Sequence, residues 1–201
     1  MASIYDLKAS FQKLLRPLVG HLAKSGITAN QVTVFAMFIS MLGGAFIVMV
    51  PAESWPLLLV PLVLFVRMAL NAIDGMLARE HNMQSPLGGF LNEIGDVVSD
   101  IFLYLPFALL IHVSSILVLT TVLLAMISEM VGVISVQVGA SRRYDGPMGK
   151  SDRAFVFGSI ALTLGLGIPA GLWLNILLSI VVLLLLITIN NRMQKALMEL
   201  Q

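Results

Sequence analysis

The sequence predicts an all-α integral membrane protein: a bundle of six transmembrane helices preceded by an N-terminal amphipathic helix at the interface. Three observations predict it. Of 201 residues, 58% are hydrophobic and 11% charged, and the mean hydropathy is +0.96, values outside the range of soluble domains. A helix needs roughly 20 apolar residues to cross the hydrocarbon core. Six segments meet or approach that length, near residues 31–51, 55–78, 88–112, 115–139, 153–169 and 171–190. The third observation is the placement of basic residues. With a cytoplasmic N-terminus, the inward regions hold Lys8, Lys13, Arg16 and Lys24, then Arg79, then Arg142, Arg143, Lys150 and Arg153, and finally Arg192 and Lys195. The outward loops near 52–54, 113–114 and 170 hold no Lys or Arg. Positive charge on the cytoplasmic side then sets both termini inside.

Taken in order, residues 1–24 place Ile4, Leu7, Phe11, Leu14, Leu15 and Leu18 at helical intervals, with Lys8, Lys13 and Arg16 between them. That pattern is an interfacial anchor facing anionic head groups, with Pro17 marking a break or a bend. The second span carries Arg67 in its interior, the fourth carries Glu129, and the fifth is short and rich in glycine. An ion pair from Arg67 to Glu129, or from Arg67 to Asp100, would satisfy these charges. The chain has no cysteine, which excludes disulfides and thiolate metal sites. Neither a cleavable signal, an internal repeat nor a domain-separating linker is visible. The expectation is a single domain over 1–201, with 1–24 interfacial and 25–201 the six-span core. Nucleic acid is not an expected partner; membrane lipids are.

The chemistry is concentrated between Asn71 and Asp100, in NAIDGMLAREHNMQSPLGGFLNEIGDVVSD. A charged side chain near the bilayer centre costs about 2.5 to 3.5 kcal/mol on insertion scales, so such groups persist where they face a bundle interior or a wet cavity and do chemistry. Asn71, Asp74 and Ala78 make one helical stripe; Gly88, Asn92, Asp96 and Asp100 recur every fourth residue and make another. Hard divalent cations take oxygen ligands, and Asp74, Glu93, Asp96 and Asp100 can supply them. Gly75 permits close approach of a ligand to the backbone, and Arg79 suits a phosphate through its paired donors. Phosphoryl transfer fits these parts better than proton pumping, which needs neither Gly75 nor Arg79.

NAIDGMLAR, followed eight residues later by GGFLNEIGD, resembles the signature of the CDP-alcohol phosphatidyltransferase family, D-x-x-D-G-x-x-A-R-x(8)-G-x-x-x-D-x-x-x-D. Asp74, Gly75, Ala78, Arg79, Gly88 and Asp96 match it in identity and spacing over 26 positions. TANQVT is similar to the family's P-N-x-x-T segment before the first span, retaining Asn30 and Thr33 with Ala29 in place of Pro. The resemblance implies attack of an alcohol hydroxyl on the β-phosphate of a CDP-lipid such as CDP-diacylglycerol, with release of CMP and with Mg²⁺ or Mn²⁺ bound. It further implies a homodimer, and the expected location is a bacterial inner membrane. Carried over by position, Asp74 is a metal ligand, Asp96 the base and also a ligand, and Gly75, Ala78 and Arg79 line the CDP pocket together with Asn30 and Thr33.

Two motif aspartates are amides here, Asn71 and Asn92, so the four positions offer two negative charges instead of four. Asn71, Asn92 and the neighbouring Glu93 complete the metal set, Glu93 with a longer arm roughly 100° round the helix. Three readings follow: one-metal or Glu93-compensated catalysis, a non-catalytic CDP-lipid binder, or another membrane function such as a small transporter. In SRRYDGPMGKSDRAFVFG, Arg142 and Arg143 obey the positive-inside rule. Lys150 and Arg153 follow a turn-rich segment that by resemblance lines the acceptor pocket, with an anionic group as target. His81 reads as a solvent-facing loop residue and the methionines as packing.

Overall fold

The computed structural model describes residues 4–50 and 53–201. The side chains of residues 4–9, and with them the predicted Ile4, Leu7 and Lys8 positions, lie outside the described residues, as do residues 51 and 52 of the first outward loop. Every regular element among the described residues is helical: α1 Ile4–Lys24, α2 Ala29–Met49, α3 Trp55–Glu80, α4 Pro86–Tyr104, a 3₁₀ turn Leu105–Leu109, α5 Ser115–Gln137, α6 Lys150–Gly165 and α7 Leu172–Glu199. Helices α2, α3, α5 and α7 are long and apolar enough to cross a membrane. They expose large apolar side chains, among them Phe35, Phe38, Leu62, Phe65, Ile180 and Leu183. A soluble monomer does not expose such surface.

The helix boundaries depart from expectation where proline and polar residues intervene. α1 runs through Pro17 without interruption. The third apolar segment, predicted as one helix over 88–112, ends as α-helix at Tyr104 and tightens into the 3₁₀ turn, because Pro106 lacks an N–H and cannot continue the ladder. The last helix continues through Asn190, Asn191 and Arg192 to Glu199. With Glu93, Asp96 and Asp100 along its length, α4 carries more acidic residues than the other long helices, and the 16 residues of α6 span only about 24 Å.

The residues form two compact units, one of 1–41 with 62–99 and the other of 42–61 with 100–201. In the first, Val19, Ala29, Val32, Ile73, Met76 and Leu77 form a buried cluster, with Leu15, Leu22 and Ala78 packed against it. The chain reverses between α1 and α2 at Gly26, whose φ of 76° suits a residue without Cβ. There the Ile27 N–H donates to Leu22 O at 3.0 Å and the Gly26 N–H to Ala23 O at 3.1 Å, a Schellman close. Thr28 and Gln31 then cap α2 reciprocally: the Thr28 N–H donates to Gln31 Oε1 at 2.9 Å and the Gln31 N–H to Thr28 Oγ1 at 3.3 Å. Ser85 caps α4, accepting from the Gly88 N–H at 3.0 Å. These two caps fix where the motif helices begin.

In the second unit, Ala125, Met148, Val181 and Leu185 form a buried cluster. Tyr104 stacks on Phe157 with centroids 4.1 Å apart, and Phe107 meets the same ring edge-on. Ser114 caps α5, and its N–H donates to Asn175 Oδ1 of α7 at 2.8 Å.

Candidate functional site

Within the first unit, α2, α3 and α4 converge on the motif. The hydroxyl of Thr33 donates to Asp74 Oδ2 at 2.7 Å, and Asp74 is 3% exposed. A Cβ at Gly95 would lie 3.8 Å from Thr33 Cγ2, so the same side chain touches α4. Across the α3–α4 pair, Asn71 Nδ2 donates to Asp96 Oδ1 at 3.4 Å, and Arg67 Nη2 donates to that oxygen at 3.3 Å and to the Asp96 carbonyl at 3.1 Å. Of the two predicted stripes, Asn71 and Asp96 therefore meet, each placed by the helical period. Asp96 keeps 25% of its side chain accessible, and Asn92 is exposed.

The glycines of the motif have specific neighbours. A Cβ at Gly75 would sit 3.1 and 3.3 Å from the two terminal nitrogens of Arg79, whose guanidinium lies back over the helix at that point. A Cβ at Gly88 would sit 2.8 Å from Asn30 Oδ1. Asn30 Nδ2 donates to Ser85 Oγ at 3.3 Å, so Asn30 ties the start of α2 to the cap of α4. Ala78 is packed against the apolar cluster beneath the stripe. His81 is an exposed loop residue, as expected.

Among the described residues no three His, Cys, Asp or Glu side chains gather as a metal cluster. At the motif the donors are mixed instead: carboxylates of Asp74, Asp96 and Glu93 with amides of Asn71 and Asn92. Every one of these side chains offers oxygen, the donor that Mg²⁺ and Mn²⁺ prefer, so the set fits a hard divalent cation by chemistry.

The second unit holds a separate charge cluster that sequence reasoning missed. Glu129 Oε1 accepts from Arg153 Nη2 at 3.0 Å, and Oε2 lies 3.1 Å from Arg142 Nη2 and 3.3 Å from Arg192 Nη1. Asp100 Oδ2 accepts from Arg153 Nε at 3.1 Å and Nη2 at 2.9 Å. Arg153 also donates to Met148 O, and Arg192 to the carbonyls of Ser128 and Asp145. Glu129 thus takes three arginines in place of the predicted Arg67, while Arg67 reaches Asp96. Arg142 is no mere loop charge: a Cβ on Gly132 would overlap its guanidinium, so Gly132 makes room for it. The available signal was one acid in an apolar span of a chain with more arginines than that side's loops needed.

Outside the spans, Asp145 accepts from Lys195 Nζ at 2.8 Å and Arg143 Nε at 2.9 Å. The Lys195 hydrogen bond, helped by Arg143, holds the Asp145 carboxyl below the usual carboxylate range. Arg143 and Ser141 in turn bond Glu199, closing the loop after α5 onto the end of α7.

The chain belongs to the CDP-alcohol phosphatidyltransferase family, whose profile matches residues 26–198. It is 44% identical over 196 residues to inner membrane protein YnbA of Escherichia coli (strain K12), covering 98% of this chain and 97% of that protein. It is also 36% identical over 110 residues to an uncharacterized protein of Aquifex aeolicus (strain VF5), covering 54% and 52%. Crystal structures of Mycobacterium tuberculosis phosphatidylinositol phosphate synthase (PgsA1) share the fold. The one with CDP-DAG bound matches at a TM-score of 0.76 and 18% identity, covering 92% of this chain and 94% of that chain. The complex with manganese and citrate matches at 0.74 and 19% identity, covering 90% and 87%.

Proposed function

We propose that the chain transfers a phosphatidyl group from CDP-diacylglycerol or a similar CDP-lipid to an alcohol, releasing CMP, in phospholipid synthesis at an inner membrane. The observation that carries this reading is the meeting of Asn71 and Asp96 across α3 and α4, beside the Thr33–Asp74 hydrogen bond, within a chain of this family. The acceptor oxygen attacks the lipid-bearing phosphorus, the phosphorus–oxygen bond to CMP breaks, and Asp96 takes the proton of the hydroxyl. Gly75 lets the CDP moiety approach the helix, Arg79 turns its fork from Gly75 to phosphate, and Ala78, Asn30 and Thr33 shape the same pocket. Asp74, Asp96 and Glu93 with the amide oxygens of Asn71 and Asn92 would hold Mg²⁺ or Mn²⁺. When bound, that cation polarises the phosphoryl group and stabilises the charge left on CMP.

Lys150 and Arg153 are our acceptor residues, with an anionic acceptor group as their target. For Arg153, acceptor contact competes with the Asp100 and Glu129 carboxylates already on it. In the membrane α4 and α6 join the four longer helices as the remaining spans, α1 lies at the interface, both termini are cytoplasmic, and the enzyme is a homodimer. The CDP-DAG and manganese complexes of the synthase with the same fold support the choice of donor and ion. The amides Asn71 and Asn92 favour one rival, a CDP-lipid binder without turnover. Purified protein with radiolabelled CDP-diacylglycerol and a panel of alcohols separates the two: the enzyme releases CMP when Mg²⁺ or Mn²⁺ is supplied. If wild type releases none and Asn71→Asp with Asn92→Asp does, the chain is a binder.

A further inference from the structure

Arg67 lies four residues before Asn71 and seven before Asp74, so it shares their stripe on α3. It is 2% exposed, a cation that a membrane helix carries only at a cost unless it has a partner and a purpose. Its Nη2 bonds both the backbone carbonyl and the carboxylate of Asp96, and the carbonyl contact fixes the guanidinium to α4 independently of the carboxylate. Asn71 shares that carboxylate oxygen and offers it an N–H. A carboxylate at position 71 would bring a second negative charge to this spot and no donor.

The amide and the arginine thus both make the site less negative. The four motif positions sum to −2 rather than −4, and Arg67 adds +1 beside them. Even with Glu93 counted, the set reaches −3, and Arg67 brings it to a net −2; one divalent ion would balance that charge, whereas a second would leave an excess of positive charge beside the guanidinium in a poorly solvated site, where like charges repel. We propose that Arg67 is a built-in cation of the site, a positioning residue that holds Asp96 and restricts the chain to a single divalent ion. This rests on the functional reading above only for the location of the ion.

The test is Mn²⁺ stoichiometry on the purified full chain in detergent with CDP-diacylglycerol, by equilibrium dialysis and electron paramagnetic resonance. Wild type binds one Mn²⁺ per chain with the six-line spectrum of an isolated ion, and Arg67→Lys keeps that value. Arg67→Met with Asn71→Asp and Asn92→Asp binds two, with a spin-coupled spectrum. Zero or two tightly bound Mn²⁺ in wild type overturns the proposal, so it is decided even if the triple variant fails to fold. The triple variant folding but keeping one isolated ion also overturns it. One bound Mn²⁺ without CMP release from any alcohol overturns the functional reading and leaves this inference standing. CMP release with two coupled ions does the reverse.

Discussion

Two groups of buried charge sit in this apolar chain, and they differ in closure. Around Glu129 the donors and acceptors are turned on one another: Arg153 and Arg192 are each 1% exposed, and the side chain of Asp100 is 8% exposed. Around Asp96 the partners include a neutral amide, a quarter of the carboxylate side chain is accessible, and Asn92 and Arg79 are exposed. The first group is sealed from solvent, whereas the second leaves part of a carboxylate and its neighbours accessible. The contrast teaches that ionic residues in membrane helices are sorted into structural and functional sets by what remains available to a ligand, since both sets are costly to bury.

If the contrast is right, the two groups should fail in different ways. The largest effect on stability is expected at Glu129. Glu129→Ala leaves three arginines without their shared carboxylate and should destabilise the protein by about 3 to 5 kcal/mol. Thermal unfolding in detergent followed by tryptophan fluorescence checks this, and a variant as stable as wild type would break the distinction. Asp96→Asn should do the opposite. We expect a loss of stability smaller than that of Glu129→Ala, because the Asp96 carbonyl and the new amide oxygen still accept from Arg67, with CDP-lipid binding within about tenfold and turnover lower by about 10² to 10⁴. Wild-type turnover in that variant removes Asp96 as the base.

Thr33 sharpens the comparison from inside the open site. Its hydroxyl bonds a carboxylate, an interaction worth about 1.5 to 3 kcal/mol. Thr33→Val should therefore raise the half-saturating Mn²⁺ concentration about tenfold, while Thr33→Ser stays near wild type. Equal behaviour of the two variants would mean that the methyl packing, and not the hydroxyl, matters. The smallest effect lies in the loop after α5. The carboxyl of Asp145 is depressed by Lys195 and Arg143, so its contribution is fully present above the unfolded carboxylate value of about 3.9 and is lost as pH falls through the lower folded value. Hydrogen-exchange protection in residues 138–149, relative to the intrinsic rate at each pH, should be unchanged from pH 7 to 5 and fall only below about pH 4. Loosening near neutrality would contradict the clasp.

The open site was the more legible of the two in the sequence. Helical spacing put Asn71 and Asp96 on stripes that meet across α3 and α4, while Gly75, Ala78, Arg79 and Gly88 stood out through the family motif. Segment lengths anticipated the helical order from Ala29 onward. The closed network was not legible, because the positive-inside rule counts arginines without asking where a helix stops. Arg192 follows Asn190 and Asn191 and reads as a loop residue, yet α7 carries it on in helical form to a buried position. Arg142 reads the same way until Gly132 is seen to give it space beside Glu129. Several acids lie within reach of Arg67 in sequence, and the docking of α3 on α4 brings Asp96 among its partners. The reciprocal Thr28–Gln31 cap is written in TANQVT as a Thr-x-x-Gln capping box at the start of α2.

The central claim is that the open cluster of Asp74 and Asp96 is a working phosphotransfer site despite its two amides. Release of CMP from CDP-diacylglycerol by purified wild-type protein, measured with an alcohol panel in Mg²⁺ or Mn²⁺ and again in excess chelator, tests it most directly. The account predicts release that depends on both the metal and one class of alcohol and is abolished in Asp96→Asn. Tight CDP-diacylglycerol binding with no CMP release under any condition would contradict it.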